Sequence, residues 1–219
     1  EADDKGYDIT IVDRVDVERE VSEVVIYTHD HPGVFAQIAG AMSLTNATIL
    51  DARISTLAHG MALDTFWIQD ITGGPFTKKE SLKRLKTRIK DALNGKLQPS
   101  RELQKARDQS ALTRTRVFKV PPRVLIDNTV SAKYTVIEVN GRDRLGFLND
   151  ATEALTGMGL QIASAHISTY GERVVDVFYV KDVFGLRVQH EGKITQIKRA
   201  LMDAIEPTTC ALDGKIEKK

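Results

Sequence analysis

Cysteine is almost missing: Cys210 is the single one in 219 residues. No intrachain disulfide can form and no multi-cysteine metal cluster can be assembled, which fits a reducing, cytoplasmic setting. Long apolar runs are lacking as well. Nothing approaches the ~20 continuous apolar residues of a spanning helix, so no membrane partner is predicted. An excess of charge of either sign is also absent, because 31 Lys and Arg stand against 30 Asp and Glu. That balance gives no electrostatic reason to expect nucleic acid as a partner. The opening Glu1-Ala2-Asp3-Asp4-Lys5 lacks both a methionine and a basic-then-apolar signal, and reads as the start of a piece cut from a longer protein. With 42% apolar and 28% charged residues, the chain has the composition of a folded protein and the length for two domains of about 100 residues.

What is present is a repeat, and it organises everything else. Val24-Val25-Ile26-Tyr27-Thr28-His29-Asp30-His31-Pro32-Gly33-Val34-Phe35 recurs in outline as Ile137-Glu138-Val139-Asn140-Gly141-Arg142-Asp143-Arg144-Leu145-Gly146-Phe147-Leu148. Residues 49–56 (ILDARIST) match residues 162–169 (IASAHIST), and residues 62–70 (ALDTFWIQD) match residues 174–182 (VVDVFYVKD) with one residue deleted at the turn between. Asp30 thereby aligns with Asp143, Gly33 with Gly146 and Asp64 with Asp176. Apolar alternation alone would not reproduce both a polar Asp-x-x-Gly loop and the turn after it.

Each copy predicts the same elements. A buried strand (24–27; 136–139) ends in the polar loop, and helical spacing follows at Phe35, Ile38, Ala39 and Met42, and at Leu148, Ala151, Ala154 and Leu155. Asn46 and Gly159 sit where those helices should stop. Hairpins are predicted over 48–57 with 61–69, and over 161–170 with 173–181. Second helices are predicted from 78 to about 94 and from 191 to about 205. The fold class is therefore α+β: two ferredoxin-like βαββαβ units, antiparallel sheets with helices on one face. The boundaries are 1–22 for an N-terminal lead, in which 7–12 could add an edge strand, and 23–97 for the first unit. A linker covers 98–114, the second unit 133–206 and a tail 207–219. The first unit's closing strand is placed at about 115–125, on Arg116-Val117-Phe118-Lys119-Val120.

Among polar groups, the two loops carry the chemistry. A helix N-terminus offers unpaired N–H groups and the positive end of its dipole to an α-carboxylate. Gly33 and Gly146 let a ligand reach that backbone, and Asp30 and Asp143 can accept hydrogen bonds from an α-ammonium. His29-Asp30-His31 suggests a metal site at first sight. However, consecutive strand residues point to alternate sides, and the second copy has Arg142-Asp143-Arg144, so no metal is expected. Phe66, Trp67 and Phe178 read as core or sheet-interface residues. The basic face over 78–96 reads as a solvated helix surface, and Cys210 has no base beside it.

The two loops, each followed by its hairpin, resemble the ACT family of amino-acid-sensing domains. The segments around His31-Pro32-Gly33-Val34-Phe35-Ala36, Asp51-Ala52-Arg53-Ile54 and Ala62-Leu63-Asp64-Thr65-Phe66-Trp67, with Phe118-Lys119-Val120-Pro121-Pro122-Arg123-Val124 between the units, are similar to the tandem ACT pair of the enzyme family that uridylylates the PII nitrogen-signal protein. That resemblance implies a ligand site made by Asp30, His31, Gly33, Val34 and Thr48, and by Asp143, Leu145, Gly146, Phe147 and Gln161, with glutamine as the ligand. It also implies that the ACT sheets could pair into a homo-oligomer. The catalytic domains, with their Mg²⁺, lie outside the chain: no paired metal-binding aspartates after a Gly-rich loop occur here, and no cofactor or catalytic residue is expected in it. The alternative is an architectural pair of units that dimerises or docks PII without any ligand.

Overall fold

The computed structural model describes residues 9–57, 59–111 and 120–206. Its element order is β1 (Thr10–Asp16), β2 (Val21–His29), α1 (Val34–Ser43), β3 (Thr48–Thr56), β4 (Met61–Gln69), α2 (Lys79–Leu93), α3 (Pro99–Ala111), β5 (Arg123–Asp127), β6 (Thr135–Arg142), α4 (Phe147–Gly157), β7 (Leu160–Tyr170), β8 (Arg173–Asp182) and α5 (Glu191–Ile205). Helices and hairpins fall within a few residues of the predicted bounds. The left-handed backbone at Asn46 (φ 60°) and Gly159 (φ 71°) follows α1 and α4 as expected. Among the described residues no helix is long and apolar enough to cross a membrane.

The eight strands form one antiparallel sheet in the order β1-β2-β4-β3-β7-β8-β6-β5. The two units are joined edge to edge by β3 and β7, through Asp51↔His166, Ala52↔Ala165 and Arg53↔Ser164. Because Ala52 and Ala165 are equivalent in the repeat, an approximate two-fold axis passes between them. Both halves also keep a β-bulge at the same place, between Ile49 and Asp51 and between Ile162 and Ser164. Bulges increase local twist and re-aim the side chains around them.

The fourth strand of each unit comes from ahead of it rather than behind. β1 pairs with β2 along Thr10↔Tyr27 to Asp16↔Val21, so the N-terminal lead supplies the first unit's edge. β5 pairs with β6, so the part of the expected closing strand at 123–125 belongs to the second unit. Of the strand predicted over 116–120, residues 116–119 lie outside the described residues, as do the tail and Cys210. The linker contains a helix of 13 residues, α3.

Alternation decides the core. Val24 and Ile26 on β2, Phe66 and Ile68 on β4, Ile137 and Val139 on β6, and Phe178 and Val180 on β8 are buried, and they share one cluster with Ile38, Met42, Leu85, Ile89, Leu155, Ile197 and Leu201 of the helices. At 25 cal/mol per Å² or so, burying this continuous apolar layer is the main stabilising term. Phe66 and Phe178 lie in the core, whereas Trp67 lies on the sheet face opposite the helices, beside Tyr179, Arg53 and His166.

α1 and α4 pack on each other across the two-fold axis, and Asn149 Nδ2 donates to the Ala36 carbonyl at 3.0 Å. Gly40 allows this approach. A Cβ there would lie 2.5 Å from Pro99 Cβ and 2.8 Å from Asn149 Nδ2. Glycine inside a helix ordinarily costs about 1 kcal/mol relative to alanine, so Gly40→Ala would stabilise an open helix. Here the overlap with a rigid proline ring dominates, and Gly40→Ala is expected to lower stability by roughly 1–3 kcal/mol. A fall in the urea midpoint at unchanged slope would check this.

Candidate functional site

The two loops have the same backbone construction. Asp30 N–H donates to Gly60 O at 3.0 Å and Asp143 N–H to Glu172 O at 2.8 Å, which ties each loop to the hairpin turn of its own unit. Val34 N–H then donates to His31 O, and Phe147 N–H to Arg144 O. Gly33 (φ 92°) and Gly146 (φ 77°) take left-handed backbone immediately before α1 and α4, and no side chain caps either helix. A residue with a Cβ would be strained at both positions.

Their surroundings differ. The first loop borders a cleft of about 230 Å³ that lies between the units. On the first unit's side the cleft is lined by Asp30 to Phe35, by Ile54 and Thr56 of β3 and by Asp64 of β4. On the second unit's side it is lined by Thr156 at the end of α4, by Gly159 to Ile162 leading into β7 and by Val183. Thr56 Oγ1 donates to Asp30 Oδ2 at 2.6 Å and so orients that carboxylate. No Lys or Arg is among the lining residues.

The second loop lies under α3. Leu103 is fully buried, and a Cβ on Gly146 would be 3.2 Å from its Cδ1. The helix is held there by charge: Arg107 Nη1 and Nη2 reach Asp150 of α4 at 2.5 and 3.2 Å. Arg144 Nη1 lies 2.5 Å from the same carboxylate, as a charge contact without hydrogen-bond geometry. Ser100 also donates to Glu153.

Of the residues predicted to bind, Asp30, His31, Gly33, Val34 and Gln161 come together in the cleft. Thr48 is exposed at the start of β3, opposite Gln69, and does not line it. Asp143, Leu145, Gly146 and Phe147 belong to the second loop, where Arg144 lies over the Phe147 ring at 5.7 Å. The prediction did not include Asp64. Its signal was nevertheless legible, since an aspartate sits on the core-facing parity of an apolar strand and recurs as Asp176.

Asp64 is 1% exposed. Neither of its carboxylate oxygens has a partner at hydrogen-bonding geometry. Burial above all, and then the charge of Asp30, push its carboxyl up from 3.8 to about 7, against a lowering pull from the Ser55 N–H. Asp176 is raised well above the usual range by burial and, to a smaller extent, by Asp143, opposed by the Ser168 N–H. Among the described residues no group of three His, Cys, Asp or Glu could hold a metal.

Residues 130–207 match the family model of the ACR family N-terminal ACT domain. The second unit is an ACT domain. The first unit repeats its sequence pattern and its fold. The chain is 52% identical over 198 residues to the bifunctional uridylyltransferase/uridylyl-removing enzyme of Azospirillum brasilense, covering 90% of this chain and 21% of that protein. It is 49% identical over 207 residues to the protein of the same name from Rhodospirillum rubrum, covering 94% and 22%. The chain thus spans about a fifth of the length of these relatives and corresponds to their ACT region. The regulatory subunit of aspartate kinase from Thermus thermophilus aligns over 90% of this chain and 99% of its own at 11% identity, with a TM-score of 0.25, too low to bear on the ACT assignment.

A carboxyl that keeps its proton to about pH 7 in the ACT fold, but releases it near 3.8 when unfolded, favours the fold at low pH. That contribution is complete below about pH 3.8 and is lost as pH rises to about 7. Asp64→Asn is uncharged throughout. The drop in stability between about pH 5 and about pH 8 is expected to be smaller in Asp64→Asn than in the wild type. The difference is on the order of 2–4 kcal/mol at about 1.4 kcal/mol per pH unit. Paired urea titrations at the two pH values measure it.

Proposed function

We propose that the inter-unit cleft binds a free amino acid, glutamine, and that the chain is the sensing module through which a full-length enzyme controls uridylylation and deuridylylation of PII. The observation that carries the proposal is the composition of the cleft. An uncapped helix N-terminus suits the α-carboxylate, and Asp30 beside it suits the α-ammonium. The opposite wall is the start of a strand from the other ACT unit. Its backbone donor and acceptor groups can satisfy a side-chain amide. With two aspartates and no Lys or Arg in the lining, a ligand carrying a second carboxylate would meet uncompensated negative charge, which favours glutamine over glutamate.

A guest in this cleft touches both units, so its binding energy acts on their mutual arrangement. It shifts that arrangement only by its difference in affinity between the alternatives. In the whole protein, the Mg²⁺-dependent nucleotidyl chemistry and the contacts with PII belong to the remaining four fifths of the chain, in the cytoplasm.

Calorimetric titration with glutamine, with glutamate as the control, is expected to show saturable binding of one glutamine per chain and little or none of glutamate. One site follows from Leu103 lying over the second loop. Asp30→Ala is expected to weaken binding about tenfold or more without unfolding the protein. Absence of glutamine heat, with uridylylation still responsive to glutamine after Asp30→Ala in the full-length enzyme, would favour an architectural role for the pair.

A further inference from the structure

We propose that Asp64 and Asp30 together form a two-carboxylate receptor for the ligand's primary ammonium, and that Asp64 makes the cleft select amino acids over analogues lacking the amino group. This rests on the reading of the cleft as an amino-acid site. Asp64 is buried to 1% exposure yet lines the cleft, and neither of its oxygens has a partner at full hydrogen-bond geometry, the Ser55 N–H giving only a weaker interaction. Buried polar groups in folded proteins are ordinarily satisfied, and an unsatisfied one is costly. An oxygen pair so poorly supplied with donors at the wall of a cavity is satisfied once a donor-bearing guest enters.

The neighbourhood defines that guest. The titratable groups lining the cleft are Asp30 and His31 from the β2–α1 loop and Asp64 from β4. β3 contributes Ile54 and Thr56, α1 contributes Val34 and Phe35, and the second unit contributes only uncharged residues. Two carboxylates facing one small space call for a cation with several N–H donors. A primary ammonium has three, and it can bridge both acids. A divalent metal fits less well, because Ca²⁺ takes 6–8 oxygen ligands or so and no third acidic, histidine or cysteine ligand joins the pair among the described residues.

The chemistry is balanced by a proton. With burial and Asp30 holding the Asp64 carboxyl protonated to about pH 7, binding of R–NH₃⁺ turns Asp64–COOH into Asp64–COO⁻ paired with the ammonium and delivers one H⁺ to solvent. Below neutrality the ligand is therefore taken up with proton release, and its affinity increases as pH rises towards 7.

The test uses the whole chain and two probes of equal carbon skeleton, glutamine and its desamino analogue glutaramate. Wild-type protein is expected to bind glutamine about 10- to 100-fold more tightly than glutaramate. In Asp64→Asn, glutamine should weaken by a similar factor while glutaramate is unchanged. Asp176→Asn, the equivalent acid away from the cleft, should change neither. Repeating the wild-type titration near pH 6 in buffers of different ionisation enthalpy should reveal release of a proton, a readout that needs no variant to fold. Equal weakening of both probes in Asp64→Asn would reduce the residue to a structural one and overturn the inference. So would glutamine binding with no proton released. Wild-type protein that ignores glutamine altogether would instead overturn the amino-acid reading on which this rests.

Discussion

The seam between β3 and β7 holds the two halves in a single sheet, and it is made by few residues. Ala52 and Ala165 face each other at its centre, both 1% exposed. Asp51 and Arg53 flank them on one strand, His166 and Ser164 on the other, and His166 Nδ1 lies 3.4 Å from Asp51 Oδ2 on the open face. Small residues at the axis leave room beneath for α1 and α4 to approach, and Gly40 and the Asn149–Ala36 contact continue that closeness into the helical layer. A slip of one residue would turn every core-facing side chain of one unit outward. The register in turn fixes which loop meets which strand, and so the cleft exists because the seam does.

Much of this was written plainly in the chain. A repeated loop, helix and hairpin pattern located nearly every element, since alternation and helical spacing are local properties of the residues that carry them. The origin of the fourth strands was not local. Residues 10–16 and 123–127 each could have served as an edge for either unit, and only pairing with β2 and β6 decides between them. The Pro99–Ala111 segment read as a polar linker or a frayed helix because its residues are nearly all polar or small. Leu103 is its one large apolar residue, Arg107 and Ser100 supply polar ties, and one apolar position leaves little periodicity to detect.

The candidate site was legible to the extent that each loop is self-contained. Asp30, His31, Gly33 and Val34 lie in one short stretch of chain, whereas Gln161 joins them only because the second unit lies across the seam. The repeat offered both loops as candidate sites, with Leu145 and Phe147 as the sign in the sequence that the second need not equal the first. Their difference arises from α3, which belongs to neither copy and therefore broke no pattern. Asp64 and Asp176 show a further limit of reading by repeat: sharing the parity of Phe66 and Phe178 marked them as inward-facing, but their lack of well-formed partners shows only in the folded chain.

On the amino-acid-sensing reading proposed above, the covering of one loop by α3 bears on the shape of the response. A chain with two equal pockets could couple them and respond steeply to its metabolite. If only the first loop's cleft takes the ligand, occupancy would follow a simple saturation curve, and one copy of the chain would act as a graded gauge rather than a threshold detector. On that reading a steeper response would have to come from association of copies, and the cleft itself would set only the working range.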